Sequence, residues 1–188
     1  SHIASSFQKR SLENPKSLIL AMEKSGKFSA KKLEMMVSSL EGFEAPKLTL
    51  EQYATPPSIS AMVISQIISE TPDYKKMRVL DLGAGTGALG LAAIAGGFAF
   101  LTAVEIENVA IEALIRNVEA AGVEEQVEVI QADVRHLQAG VLGDICLMNP
   151  PFGTSLNEGI DMEFIKKGLE LTLGPLYVIH KKTVTKNL

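Results

Sequence analysis

From Arg78 onward the chain alternates between two hydrophobic rhythms. Short, almost wholly apolar runs are separated by stretches in which apolar residues recur every three or four positions. The runs predict strands of a mainly parallel sheet, apolar on both faces, and the stretches predict the helices covering it. Strands are expected at Arg78–Leu82, Phe98–Val104, Val127–Gln131, Asp144–Met148 and Pro175–Ile179. Helices are expected at Ala88–Ala95, Asn108–Ala121 and Ile160–Leu173. In Asn108–Ala121, Ile111, Leu114, Ile115 and Val118 share one face, opposite Glu112, Arg116 and Glu119. The pattern is that of an α/β, doubly wound fold with helices on both faces of the sheet. Such folds bind ligands at the carboxyl ends of the strands, near the switch in strand order.

The stretch before Arg78 reads as helical but less regular. Lys9 to Lys27 is polar and interrupted by Pro15 and Gly26, with one or two helical turns expected at Leu18–Met22. A firmer helix follows Ser29, a good N-cap, with Leu33, Met36, Val37 and Leu40 at helical spacing before Gly42. Pro56 and Pro57 then open a buried helix carrying Ile59, Met62, Val63, Ile64, Ile67 and Ile68. Residues 1–30 read as an N-terminal extension and residues 31–188 as one domain. The apolar fifth strand would be an exposed edge if nothing followed it, so further strands are expected beyond Leu188 in the native protein.

Composition narrows the class. The 188 residues are 46% hydrophobic, enough for one domain with a substantial core. A single cysteine, Cys146, excludes an intrachain disulfide framework. No apolar stretch reaches the roughly 18 residues of a membrane span, and the first residues lack a secretory pattern, so a soluble, intracellular protein is expected. The net charge of −4 is unevenly spread. Residues 1–32 hold seven basic and two acidic residues, and the last nine hold three lysines and no acid. Between them lie eight basic and twenty acidic residues. Basic ends on an acidic body suit either local contact with a polyanion or solvated arms.

The first predicted strand runs into Asp81-Leu82-Gly83-Ala84-Gly85-Thr86-Gly87, followed by Ala88, and Asp81, Gly83, Gly85, Thr86, Gly87 and Ala88 are candidate cofactor-binding residues. Without Cβ atoms, the backbone at Gly83, Gly85 and Gly87 can turn tightly and approach a ligand, and the next helix offers free N–H groups to a carboxylate or phosphate. Glu105 lies 22 residues beyond Gly83, at the end of the second strand, where an acid can accept from ribose hydroxyls. Glu107 reads instead as a first-turn acid of the next helix. After the third strand, Asp133 could accept from an adenine amine beside the Val134 N–H, or could simply cap the segment that follows. A dinucleotide is a competing ligand, although the spacing is G-x-G-x-G rather than G-x-G-x-x-G.

The fourth strand ends in Asn149-Pro150-Pro151-Phe152. A ring-conjugated amine is a poor nucleophile because its lone pair is delocalised. The Asn149 side-chain oxygen and the Pro150 carbonyl could accept from such an amine, the prolines would stiffen the turn, and Phe152 could stack on a planar base. His2, His136, His180 and Cys146 are scattered without ligand spacing, so no metal is expected. The two motifs together point to methylation of an amino group with S-adenosylmethionine.

With these motifs the chain resembles class I methyltransferases of the N6-adenine group, which carry [DNS]-P-P-[FYW] after strand four. It is similar in particular to the eukaryotic 18S ribosomal RNA N6-adenosine methyltransferases. That likeness rests on Gly42-Phe43-Glu44, Pro46-Lys47, Leu50-Glu51-Gln52-Tyr53, Thr55, Pro57, Asn149-Pro150-Pro151-Phe152-Gly153-Thr154, Gly159-x-Asp161-Met162 and His180-Lys181. Glu105 stands where the family often has Asp, and Ala84 and Thr86 where it often has Cys. The resemblance implies a class I methyltransferase fold and S-adenosylmethionine held by Gly83, Thr86, Ala88, Glu105 and Asp133. Gln52 and Thr55 would line the same pocket, which Tyr53 would help close. It also implies a reaction centre at Asn149, Pro150, Pro151 and Phe152. The substrate would be small-subunit ribosomal RNA, and a zinc-ribbon activator protein would join the Val127–Gln131 edge as a heterodimer. Residence in the nucleus, nucleolus and cytoplasm follows from the same likeness. Protein glutamine amide methylation and a catalytically silent RNA-binding subunit stay open as alternatives.

Overall fold

The computed structural model describes residues 14–43, 54–151 and 159–179. Five parallel strands form one sheet: β1 (Arg78–Leu82), β2 (Phe100–Glu105), β3 (Val127–Gln131), β4 (Ile145–Met148) and β5 (Leu176–Val178). Their spatial order is β3-β2-β1-β4-β5, so the order switches between β1 and β4. Among the described residues six α-helices surround it: α1 (Pro15–Ser25), α2 (Ala30–Ser38), α3 (Pro57–Glu70), α4 (Ala88–Gly96), α5 (Asn108–Ala121) and α6 (Ile160–Leu171).

Two-residue periodicity sorts the strand side chains into two cores. Val79, Leu101, Ala103, Ile145 and Leu147 pack with residues of α1 to α5, including Leu33, Ile64, Leu91 and Leu114. Leu80, Leu82, Val104, Cys146 and Met148 face the other way, against Phe164 and Leu171 of α6 and Val134. The doubly wound architecture expected from the sequence is what forms. β3 lies at one edge, with Glu128 and Gln131 exposed and Val127, Val129 and Ile130 half-buried.

The N-terminal region differs from expectation. α1 is eleven residues long rather than one or two turns. Pro15 occupies its first turn, where the missing N–H is no loss, and Asn14 caps it by accepting from the Ser17 N–H at 2.8 Å. Gly26, at φ 62°, ends it in the left-handed conformation. The residues that read as interruptions are the start and stop of the helix. Leu18, Ile19 and Met22 enter the same core as α2 to α5, so packing continues across residue 30.

Smaller differences occur at element ends. β2 begins at Phe100 because Phe98 turns inward, 1% exposed, with its ring 5.3 Å from that of Tyr74. α2 is closed at Ser39, before Gly42, and α6 stops at Leu171. Among the described residues no helix is long and apolar enough to cross a membrane.

Candidate active site

Beyond β1 the backbone turns at Gly83 (φ 73°) and Gly85 (φ 56°), a region costly for residues with a Cβ. The Gly83 and Ala84 N–H groups donate to the Val104 carbonyl at 2.9 and 3.0 Å, tying the loop to β2. Aromatic rings occupy the space two side chains would need. A Cβ on Gly83 would lie 3.0 Å from the Phe164 ring of α6, and one on Gly85 would lie 3.0 Å from the Phe43 ring.

Glu105, at the end of β2, is 8% exposed and lines a cavity of about 200 Å³. It accepts from the Gly85 N–H at 2.7 Å and from the Ile106 and Glu107 N–H groups at 2.8 and 3.0 Å. A carboxylate has about four acceptor sites, so this one is held in place with capacity left for a ligand hydroxyl. The acid expected to meet a ribose therefore also shapes the glycine loop.

Gly83, Ala84, Gly85, Thr86 and Ala88 line the cavity, as do Asp133 and Val134 from the far side. Asp81 and Gly87, named with them from the sequence, do not. Asp81 is 2% exposed and sits beneath the loop, where it accepts from the Gly90 N–H at 2.9 Å. Gly87 gives α4 no side-chain cap, so Asp81 satisfies a first-turn donor from the neighbouring strand. Burial pushes its carboxyl up to about 7, against the lowering effect of the Gly90 hydrogen bond, and Glu105 adds to the rise.

Asp133 fills the cap position and the cavity position at once. It accepts from the Arg135 N–H at 2.9 Å and holds the Arg135 guanidinium at 3.0 Å (Nε) and 2.7 Å (Nη2). Those hydrogen bonds keep its carboxyl below the usual carboxylate range, despite partial burial.

At the end of β4, Asn149 and Pro151 line the same cavity as the glycine loop, while Pro150 is buried behind them. The Asn149 Nδ2 donates to Thr55 Oγ1 at 3.1 Å. Its Oδ1 is buried and has no hydrogen-bond partner among the described residues. A buried acceptor left without a donor costs about 1–3 kcal/mol. Such an atom at a cavity wall is suited to a ligand that brings an N–H. Gln52, Tyr53 and Phe152 lie outside the described residues.

Several contributors were not placed in the site from sequence. Phe43 lines the cavity, and it is held there by a clasp on Glu41, two residues earlier, from a residue 76 positions beyond Glu41. Asn117 of α5, 3% exposed, accepts from the Glu41 N–H at 2.7 Å and donates to the Glu41 and Thr86 carbonyls at 2.9 Å each. The Arg116 guanidinium pairs with the Glu41 carboxylate at 2.6 and 2.8 Å and lowers its pKa. The available signal was a polar residue, Asn117, three positions after Leu114 on the apolar stripe of α5. Cys146 is a packed core group, since burial pushes its thiol well above the ordinary range. Among the described residues no three potential metal ligands cluster.

Comparison with known proteins agrees with this geometry. The methyltransferase small domain family matches residues 59–185. The rRNA N(6)-adenosine-methyltransferase metl-5 of Caenorhabditis elegans is 37% identical, over 81% of this chain and 74% of its own. The rRNA N(6)-adenosine-methyltransferase Mettl5 of Drosophila melanogaster is 36% identical, over 80% of this chain and 72% of its own. In structure, the Pyrococcus horikoshii protein PH1948 superposes with a TM-score of 0.71 at 34% identity, covering 80% of this chain and 73% of that one. The chain belongs to the S-adenosylmethionine-dependent methyltransferases of the small-domain family and, within them, to the rRNA N(6)-adenosine-methyltransferases.

Proposed function

We propose that this protein methylates the N6 amine of an adenosine in small-subunit ribosomal RNA. The observation that carries the reading is the unpartnered Asn149 Oδ1 in the wall of the cavity that Glu105 and the glycine loop also line. S-adenosylmethionine, when bound, supplies a methyl group already attached to a good leaving group. The protein's task is then positioning rather than strong-base chemistry.

Glu105 and Asp133 would hold the ribose and adenine ends of the cofactor. Asn149 Oδ1 would accept an N–H from the substrate amine, drawing it out of the ring plane so that its lone pair faces the methyl group. The cofactor would supply the methyl group to that nitrogen, its sulfur leaving as the neutral thioether, and the surplus proton would pass from the nitrogen to water. Thr55, 7% exposed, keeps the Asn149 amide in the orientation that leaves Oδ1 toward the substrate. By resemblance, Pro150 would supply a second acceptor, Phe152 a face for the flipped base, and Gln52 and Tyr53 a closing wall. The site thus needs an adenosine out of its stack, which ribosomal RNA offers in unpaired segments.

The same reading includes a zinc-ribbon activator protein at the β3 edge. The position of β3 at the end of the sheet supports this, because its outer N–H and C=O groups have no strand neighbour among the described residues. Residence in the nucleus, nucleolus and cytoplasm is part of the proposal, since ribosomal RNA is made and used there. Labelled methyl transfer to total RNA and protein, with the activator present, tests the whole. The reading expects label in small-subunit RNA with wild-type protein and none with Asn149→Ala. Label in protein would favour glutamine amide methylation instead, and cofactor binding without turnover a silent subunit.

A further inference from the structure

Arg135 stands between two hollows. On one side it holds both oxygens of Asp133 at the wall of the cofactor cavity, Nε to Oδ1 at 3.0 Å and Nη2 to Oδ2 at 2.7 Å. On the other it lines a groove of about 310 Å³ with His136, Glu163, Lys166, Lys167 and Glu170. The groove adjoins the cofactor cavity, because Arg135 lines both and α6, which forms the groove wall, also sends Phe164 against Gly83.

At rest the groove's charges are nearly balanced. Lys167 pairs with Glu170 at 2.6 Å, Lys166 lies exposed beside them, and Glu163 acts on Arg135 from α6. The guanidinium itself is committed to Asp133, which also accepts from the Arg135 backbone N–H at 2.9 Å. With four contacts from Arg135 already on its two oxygens, Asp133 can take the cofactor's amino group only by giving up part of the fork. A bidentate arginine–carboxylate pair is then exchanged for a single hydrogen bond, and up to four of the five N–H donors are free beside two lysines. The side chain is already 47% exposed, so it can turn into the groove without repacking the core.

We propose that the Arg135–Lys166–Lys167 groove binds a phosphodiester of the RNA strand next to the flipped adenosine, and that cofactor binding at Asp133 releases Arg135 to complete it. The proposal rests on the adenosine-methylating reading, which gives Asp133 its ligand. It makes the two substrates bind with positive coupling: cofactor raises RNA affinity, and RNA raises cofactor affinity by the same factor.

The test is fluorescence anisotropy with a short single-stranded RNA containing one adenosine, with and without S-adenosylhomocysteine, across a salt series. Wild-type protein should bind this RNA about fivefold or more tightly with S-adenosylhomocysteine present. Its log–log salt slope should steepen by about 0.7, the value for one neutralised phosphate on a single strand. Arg135→Gln should lose both changes. Lys166→Gln should bind more weakly in both states yet keep the tightening. Equal tightening in Arg135→Gln and wild type, or a wild-type salt slope indifferent to S-adenosylhomocysteine, overturns the proposal. Nucleoside analysis of the wild-type product reports separately on adenosine methylation, so the groove can fail while that reading stands.

Discussion

The two ends of the cavity are held by opposite means. At the cofactor end almost every polar group already has a partner within the protein. Glu105 receives three backbone N–H groups, Asp81 caps α4, and Asn117 makes three hydrogen bonds. At the reaction end the Asn149 side chain makes one bond among the described residues, to Thr55, and its buried oxygen is left over. The first end is built before any ligand arrives, and the second keeps one acceptor in reserve. Binding is thus placed on a satisfied scaffold, and chemistry on the atom the scaffold leaves unsatisfied.

The contrast breaks most sharply at Asn149. Asn149→Ala should lower kcat about a hundredfold or more, the scale of losing one positioned polar group at a reacting centre, while cofactor affinity changes far less. Steady-state kinetics with a calorimetric cofactor titration checks both halves. At the other end, Glu105→Ala strips an acceptor from three N–H groups and a potential ligand hydroxyl. Its cofactor Kd should rise about tenfold or more, with a lower melting temperature. A melting temperature that falls with an unchanged Kd would confine Glu105 to shaping the loop.

Asn117→Leu tests how far the clasp on Phe43 matters. It leaves the Glu41 backbone and the Thr86 carbonyl without partners, and denaturant unfolding should show a loss of about 1–3 kcal/mol. The cofactor KM should rise while kcat at saturation holds.

Asp81 gives a pH-dependent effect. Its folded-state pKa of about 7 lies above the ordinary 3.8, so the folded state keeps a proton that the unfolded state has lost. The group's contribution is therefore fully present below pH 3.8 and declines as pH rises towards about 7. Asp81→Asn should flatten that decline in unfolding free energies measured across the interval, since its side-chain oxygen can still accept from Gly90. Parallel pH profiles for the two proteins would contradict this. The smallest effect belongs to the exposed Arg78–Asp144 pair, where Arg78→Ala should cost less than about 1 kcal/mol in the same unfolding measurement.

Sequence reading succeeded where the signal is local. β1, α5 and β3 fall on the expected residues, because periodicity over five to fourteen positions carries their type and extent. The glycine loop, Glu105 and Asn149 were legible for a related reason: each marks the carboxyl end of a strand. α1 was underread because Pro15 and Gly26 break a helix in its middle but bound it at its ends, and the local sequence does not say which applies. Asp81 was placed in the pocket by its neighbours in sequence, yet it lies one residue deeper in β1, beneath the first turn of α4, where its carboxylate accepts from the Gly90 N–H. Phe43 and its clasp were missed in the site because they depend on Asn117 meeting Glu41 across 76 residues, a contact only the packed fold creates.

Nucleoside mass spectrometry of unmethylated small ribosomal subunits treated with this protein, the proposed activator and S-adenosylmethionine tests the central claim most directly. The account predicts N6-methyladenosine in the small-subunit RNA with wild-type protein and background levels with Asn149→Ala. A methyl group on a ring nitrogen or a ribose, or undiminished N6-methyladenosine from Asn149→Ala, would contradict it.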